Sequence, residues 1–325
     1  MSRLLLDVNK PIKIGDVSCK PCFKDVGSTS DLASLISMPI TQLEDILLNP
    51  LLHYSSFKRR KKKGGYRQIT APKKYLRNAQ RILKKYIEKN LTWPSYVHGG
   101  IKNRSTITNA QDHVSQQLLF NLDIKDFFPS VSSLYVQDLF VSLGANPQVA
   151  KVLANFCCHT SVVPQGAPTS SLLTNLAFAP VDTKIINIVR RAPKIKYTRY
   201  VDDISLSGDE GLGSFKGHVE AVIERSGFKM SLSQITRRDK QQIVTGLIVN
   251  DKLRPTNDFI NDLEDDIKLC LDRSVGPSLV ADLYDISGAK LKGNLYGRIQ
   301  HLSKFRSKNA DKIMVAAKKI KWQFN

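Results

Sequence analysis

The chain has 325 residues, 42% hydrophobic and 24% charged, a balance that excludes wholesale disorder and suits one large core or roughly two to three smaller ones. Its net charge of +20 points to a polyanionic partner, nucleic acid first and an anionic membrane surface second. No apolar run approaches the roughly 18 to 20 residues of a membrane span, and Asp7 breaks the short apolar stretch at the N-terminus, so a cytoplasmic protein with no membrane partner is expected. Cys19 and Cys22 have CxxC spacing, but no second pair or paired histidines complete four zinc ligands; with Cys157, Cys158 and Cys270 they read as reduced thiols. Residues 28–37 and 41–50 read as short helices, the second opened by a capping box from Thr41 to Glu44 and closed by Pro50. Six basic residues, Lys58 to Lys63, then Gly64, Gly65 and an alternating run to Pro72 read as a hairpin with a basic arm. From 74 to 91, apolar residues at 76, 79, 82, 83, 86 and 87 make an amphipathic helix with a basic outer face.

The middle of the chain is more strand-like. "QQLLFNLDI" reads as a buried strand carrying Asp123. A helical segment from about 132 to 159 is broken near Gly144 and Pro147, the loop "VVPQGAPTS" follows, and a long apolar helix runs to Arg191. "YTRYVDDISLSG" (197–208) reads as a hairpin with Asp202 and Asp203 at its tip; then come a helix near 215–227 and a β-rich stretch at 241–251. The last 75 residues look helical and basic. The class is α+β, a mixed core flanked by helical lobes.

Adjacent aspartates in a turn are ordinary, because Asp hydrogen-bonds locally there. They gain meaning beside Asp123. Two Mg²⁺ ions can stabilise both oxygens of an in-line phosphoryl displacement, and Mg²⁺ takes carboxylates completed by water and phosphates. A strand end and a hairpin tip can bring such carboxylates together. If the tip is extended, Asp203 points away from Asp202, which makes Asp202 the more direct ligand. Gly166 in "PQGAPTS" allows close backbone approach, and Pro168 and Thr169 can open a helix whose free N–H groups face phosphate; a plain helix-start loop is the alternative. Lys58–Lys63 is either a solvated arm or a grip on triphosphate or template.

"KKKGGYRQI", "NLDIKDFFPS", "PQGAPTS" and "YVDD", in this order over about residues 55 to 250, resemble reverse transcriptases. The resemblance implies a right-hand polymerase: an N-terminal helical extension (1–54), fingers (55–115), a palm (116–249) with an inserted fingers segment (about 131–163), and a basic RNA-binding thumb (250–325). It implies catalysis by Asp123, Asp202 and Asp203 with two Mg²⁺ ions, Mn²⁺ being able to substitute, and a metal contact from the Ile124 carbonyl. Arg67, Phe128, Gln165 and Gly166 would line the dNTP site. Arg67 would contact the triphosphate, and Phe128 would exclude a ribose 2′-OH, unless it is an ordinary core phenylalanine beside Phe127.

Within that family the chain looks most like retron enzymes. Asn109, Ala110 and His113 fit the NAxxH element, and Val244, Thr245 and Gly246 fit the VTG element. The retron likeness implies a cognate non-coding RNA, priming from an internal guanosine 2′-OH, a branched RNA–DNA product, a separate effector protein and a role in antiphage defence. Lys290, Lys292 and Arg298, with Lys304 and Arg306, would bind RNA, while Tyr296 and Trp322 either stack on bases or, as preferred, pack. One block departs from the family: Ser233 and Gln234 stand where lysines are expected, so no general acid is assigned, and Lys229, Arg237, Arg238 or water would have to substitute. Competing readings are another bacterial reverse transcriptase, intron-derived or abortive-infection type, and a non-catalytic RNA-binding scaffold.

Overall fold

A computed structural model describes residues 12–60, 65–192, 194–284, 286–305 and 308–322. At the N-terminal end, β1 (Ile12–Ile14) and β2 (Val17–Cys19) form a hairpin. α1 (Thr29–Leu35) is fixed by a capping box in which Ser28 and Asp31 satisfy each other's backbone N–H. α2 (Ile40–Leu48) begins earlier than the Thr41–Glu44 pattern suggests: Pro39 precedes it at φ −55°, and no side chain caps it. Proline's restricted φ is already compatible with helix entry, so Thr41 lies inside the first turn.

β3 (Tyr54–Arg60) and β4 (Tyr66–Pro72) form the expected antiparallel ribbon, with Arg59 opposite Arg67 and Phe57 opposite Ile69. Lys61–Lys63 and Gly64 lie outside the described residues. α3 (Lys74–Glu88) buries Leu76, Ala79, Leu83 and Ile87 on one stripe. Its other face exposes Arg77, Arg81 and Lys85 at four-residue spacing, with Lys73 and Lys89 continuing the row at either end. β5 (Leu91–Thr92) joins the β1–β2 hairpin, and α4 (Thr106–Gln111) follows.

The central sheet is built around β6 (Leu118–Ile124). α5 (Ser133–Ser142), α6 (Pro147–Cys157) and α7 (Ser170–Val189) come next, then β7 (Lys196–Tyr200), β8 (Asp203–Gly208), α8 (Lys216–Arg225) and β9 (Met230–Arg237). The strand order is β7-β8-β6-β9, all antiparallel. Alternation along β6 decides what each face does. Leu118, Phe120, Leu122 and Ile124 pack with Phe178, Val181 and Ile185 of α7 and Val219 and Ile223 of α8. Leu119, Asn121 and Asp123 therefore belong to the other face.

α7 corrects one expectation. It has 20 residues and is long and apolar enough to cross a membrane by length and composition, yet it is mostly buried as the core helix between two apolar clusters. Its start is enclosed as well. Thr169 and Ser170 are buried, and the Ser170 hydroxyl donates to the Pro164 carbonyl at 2.6 Å, so this helix end is no open phosphate cradle.

β10 (Ile243–Val244), β11 (Leu247–Ile248) and β12 (Arg254–Pro255) form a small antiparallel sheet. α9 (Asn257–Leu271), α10 (Gly276–Leu283), α11 (Gly288–Ser303) and α12 (Lys308–Lys318) then close around their own core, including Leu263, Ile267, Leu295 and Ile299. This bundle is not basic throughout. α9 carries Asp258, Asp262, Glu264, Asp265 and Asp266, and the cations concentrate on α11 and α12. All five cysteines are buried and free, as expected of reduced thiols.

Candidate active site

Asp123 is the penultimate residue of β6, and Asp203, the first residue of β8, lies directly opposite it. Directly paired residues on antiparallel strands project to the same face. The register thus makes Asp203 the cross-strand neighbour of Asp123, whereas simple alternation had favoured Asp202. Alternation fails because Asp202 sits in the two-residue turn between β7 and β8. The Asp202 carbonyl accepts the Ile124 N–H at 3.2 Å, and the β6–β9 register shifts between Asp123 and Ile124. Such a bulge re-aims side chains beside it.

The three carboxylates repel one another. Asp203 is pushed up to about 7, by burial among neighbouring atoms first and by the charges of Asp202 and Asp123 second. Asp202 is also raised, chiefly by burial and then by Asp123, against opposing contributions from Arg67 and Arg199. Among the described residues no group of three His, Cys, Asp or Glu forms a ready-made metal cage. The donor set nonetheless fits a hard divalent cation. Its oxygens are the right ligand type, its uncompensated charge is what a cation relieves, and a Mg²⁺-type site leaves positions for water and phosphate.

The opposite wall comes from the ribbon. Arg67 on β4 is exposed, and its charge acts on both Asp202 and Asp203. β4 is tied to the PQG loop by a hydrogen bond from Thr70 N–H to the Gln165 carbonyl at 2.8 Å. Gly166 has φ +135°, and a Cβ there would sit 3.0 Å from Ile69 Cγ2 and the Thr70 carbonyl oxygen. Both the backbone conformation and the close approach demand glycine. The two phenylalanines separate: Phe127 is buried in the sheet core and Phe128 is half-buried. The Phe128 carbonyl accepts from Val131, and Val131 in turn accepts from Val163, which leads into the PQG loop.

The two short retron-like elements meet. Ala110 of α4 shares one apolar cluster with Leu119, Val244, Leu247 and Val249, and the Thr245 hydroxyl donates to the Thr106 carbonyl at 3.2 Å. Thr245 and Gly246 both take positive φ in the β10–β11 turn. His113 is fully buried between strands, with Nδ1 2.6 Å from the Ser207 hydroxyl and Nε2 2.7 Å from the Thr198 hydroxyl. Burial pushes its imidazole down to about 3, with His98 and Lys196 adding to the shift. His113 is therefore a neutral pin across β7 and β8. Asn109 beside it is fully buried, and its side-chain amide meets no hydrogen-bond partner among the described residues.

β9 settles which cations lie near the carboxylates. Arg237 pairs with Leu118, at the far end of β6 from Asp123, and is ion-paired to Glu210; Arg238 is ion-paired to Asp251. Five steps along the strand, from Leu118 to Asp123, separate that end from Asp123, about 17 Å at the usual rise. Neither arginine can replace the absent lysines. Lys229 lies at the correct end, where its carbonyl accepts the Lys125 N–H at 2.8 Å. Ser233 hydrogen-bonds Glu220. The reading from residue pattern missed Ser231, whose hydroxyl donates to Asp123 Oδ2. It also missed Arg199, Asp182, Asn175 and Gly99 beneath the turn; the one available signal was an arginine at an inward-alternating position of the hairpin.

In the C-terminal bundle, Arg298 leaves the expected RNA surface. It is ion-paired to the buried Asp266, and its guanidinium lies over the Phe259 ring, 5.6 Å from the centroid. Lys290 and Lys292 are exposed, Lys292 over Trp322 at 5.7 Å, and Tyr296 and Trp322 pack together at 6.2 Å. Arg306 lies outside the described residues.

The family model for reverse transcriptase (RNA-dependent DNA polymerase) matches residues 59–245, more than half of the chain and all of the elements that carry the carboxylates. The chain belongs to the reverse transcriptase family. Within it, the similarity is to retron-type enzymes. The chain is 33% identical over 223 residues to the retron Mx65 reverse transcriptase of Myxococcus xanthus, an alignment covering 62% of this chain and 52% of that protein. It is 32% identical over 192 residues to the retron Ec86 reverse transcriptase of Escherichia coli, covering 57% and 58%. To the retron Mx162 reverse transcriptase of Myxococcus xanthus it is 28% identical over 262 residues, covering 70% and 54%. The chain spans about half the length of the curated relatives it matches.

Proposed function

We propose that this protein is a retron reverse transcriptase that copies part of a cognate structured non-coding RNA into DNA. The carrying observation is the pairing of Asp123 with Asp203 across β6 and β8, with Asp202 in the adjoining turn and Arg67 facing them. In this reading the β3–β4 ribbon belongs to the fingers, the four-stranded sheet is the palm and the α9–α12 bundle is the thumb. Asp123, Asp202 and Asp203 hold two Mg²⁺ ions, with Mn²⁺ as a substitute; when bound, they stabilise the attacking and leaving oxygens of nucleotidyl transfer. Arg67 orients the dNTP triphosphate, Gln165 and Gly166 line its pocket, and Phe128 stands against the sugar. Priming from an internal guanosine 2′-OH gives a branched RNA–DNA hybrid. Lys290 and Lys292 contribute to RNA binding. The retron likeness further suggests a separate effector protein, a cytoplasmic location and a role in antiphage defence.

The test is to purify the protein with its bound nucleic acid, sequence that material and assay primer extension on RNA with dNTPs and Mg²⁺. A branched RNA–DNA species and templated synthesis are expected, and Asp202→Asn with Asp203→Asn should abolish both. Linear DNA alone would favour another bacterial reverse transcriptase. Synthesis that survives the double substitution would remove the carboxylate mechanism.

A further inference from the structure

The turn that carries Asp202 and Asp203 is conformationally expensive. Val201 is its first central residue and has φ +59°. A two-residue hairpin with positive φ at that place normally uses glycine, and a β-branched residue there is strained. Something in the surrounding protein must over-determine this conformation.

Beneath it lies Arg199, the largest fully buried side chain among the described residues. Its Nη1 donates to the Val201 carbonyl at 2.9 Å and to Asn175 Oδ1 at 2.7 Å. Nε and Nη2 grip the two oxygens of Asp182 at 2.8 and 2.7 Å. The Tyr197 hydroxyl adds a bond to Asp182 Oδ1 at 2.5 Å, and the guanidinium lies over Phe178, 4.9 Å from the ring centroid. Asn175 donates onward to the Gly99 carbonyl at 2.7 Å. Gly99 closes the circuit sterically: a Cβ on it would lie 2.4 Å from Val201 N and 2.8 Å from the Tyr200 carbonyl carbon. The Arg199 backbone is held too, its N–H donating to Tyr96 and its carbonyl accepting from His98, both at 2.8 Å.

A buried ion pair is poor value as a stabiliser, since apolar residues of like volume often do as well. What apolar residues lack is a donor for the Val201 carbonyl. We propose that Arg199 is a positioning residue: held by Asp182 and Asn175, it fixes the strained Val201 turn from below and so sets the geometry in which Asp202 and Asp203 receive metal. This inference rests on the metal-dependent polymerase reading given above.

Two variants test it from opposite sides. Tyr197→Phe, Asp182→Leu and Arg199→Met together replace the polar circuit by apolar side chains. Gly99→Ala leaves the circuit intact and pushes on the turn. Binding of Mn²⁺ to the full chain, followed by electron paramagnetic resonance, should weaken about tenfold in each, the size typical of losing a group that orients a metal ligand. In primer extension kcat per folded molecule should fall while KM for dNTP holds. An unfolded fraction would also lower apparent kcat at constant KM, so the folded fraction is measured by circular dichroism. The weakened Mn²⁺ affinity, which an unfolded fraction leaves unchanged, marks the positioning role. Folded variants with parental Mn²⁺ affinity and kcat would overturn the proposal, and if the triple variant does not fold, Gly99→Ala decides by the same measurements. If the unsubstituted protein binds no Mn²⁺ and extends no primer, the polymerase reading falls and this inference with it. If it does both and the variants match it, only the positioning role falls.

Discussion

His113 gives the protein a specific acid sensitivity. At pH 7 its imidazole is neutral whether the chain is folded or not, since the ordinary value is about 6.5. In the folded protein it is pushed down to about 3, because the ring is buried and already satisfied by Ser207 and Thr198. As the pH falls below about 6.5, the unfolded chain takes up a proton that the folded one refuses, so stability is lost progressively down to about pH 3. Between pH 7 and pH 5 the gap of one and a half units below the ordinary value gives a loss of about 2 kcal/mol from this one group. Urea denaturation of the parent and of His113→Gln at both pH values measures it. Gln cannot titrate, and it keeps a donor and an acceptor for the two hydroxyls. The variant should start less stable at pH 7 but lose about 2 kcal/mol less than the parent on acidification. Parallel pH dependence in the two proteins would refute the neutral-pin assignment and suggest a histidine that charges in the folded state.

Phe128→Ala should weaken discrimination against ribonucleotides by about tenfold or more, read from competing primer extension; unchanged discrimination would return Phe128 to a purely structural role. Gly166→Ala forces a side chain into φ +135° and against β4. A strain cost of roughly 1–3 kcal/mol should appear mainly as a higher KM for dNTP in steady-state kinetics. Replacing Lys290 of α11 and Lys312 and Lys318 of α12, all exposed, together by Ala should flatten the salt dependence of RNA binding, lowering the log–log slope by about 2 to 3 with Mn²⁺ affinity unchanged; an unchanged slope would show that these lysines face away from RNA.

The central sheet could be read from residue pattern because its signals are local. Leu118, Phe120, Leu122 and Ile124 alternate, so a strand with Asp123 on its other face follows directly. The hairpin at 197–208 was equally plain. The Asp202–Asp203 ranking was not, because turn residues escape alternation and only the register with β6 assigns a partner. Arg199 was hidden for a different reason. An arginine in a strand ordinarily reads as solvent-facing, and its partner Asp182 lies in a helix whose surroundings look uniformly apolar. The same composition made α7 long and apolar enough for a membrane span when it is a core helix. Arg237 and Arg238 are close to Ser233 along the chain, but strand rise carries them to the wrong end of the sheet. The C-terminal charge was legible as a sum and not as a distribution, since the acids of α9 offset the lysines of α11 and α12.

The pairing of Asp123 with Asp203 also bears on the order in which the site can assemble. In the chain, β6 is separated from its two neighbours, β8 and β9, by a long stretch that includes α5, α6 and α7. Contacts so distant in sequence are slow to close. During synthesis, α3 with its row of cations is complete well before β8 leaves the ribosome. The exposed cations of α3 are thus in place before the Asp123–Asp203 pair exists, and under the polymerase reading proposed above the carboxylate site is complete only once β8 has docked on β6.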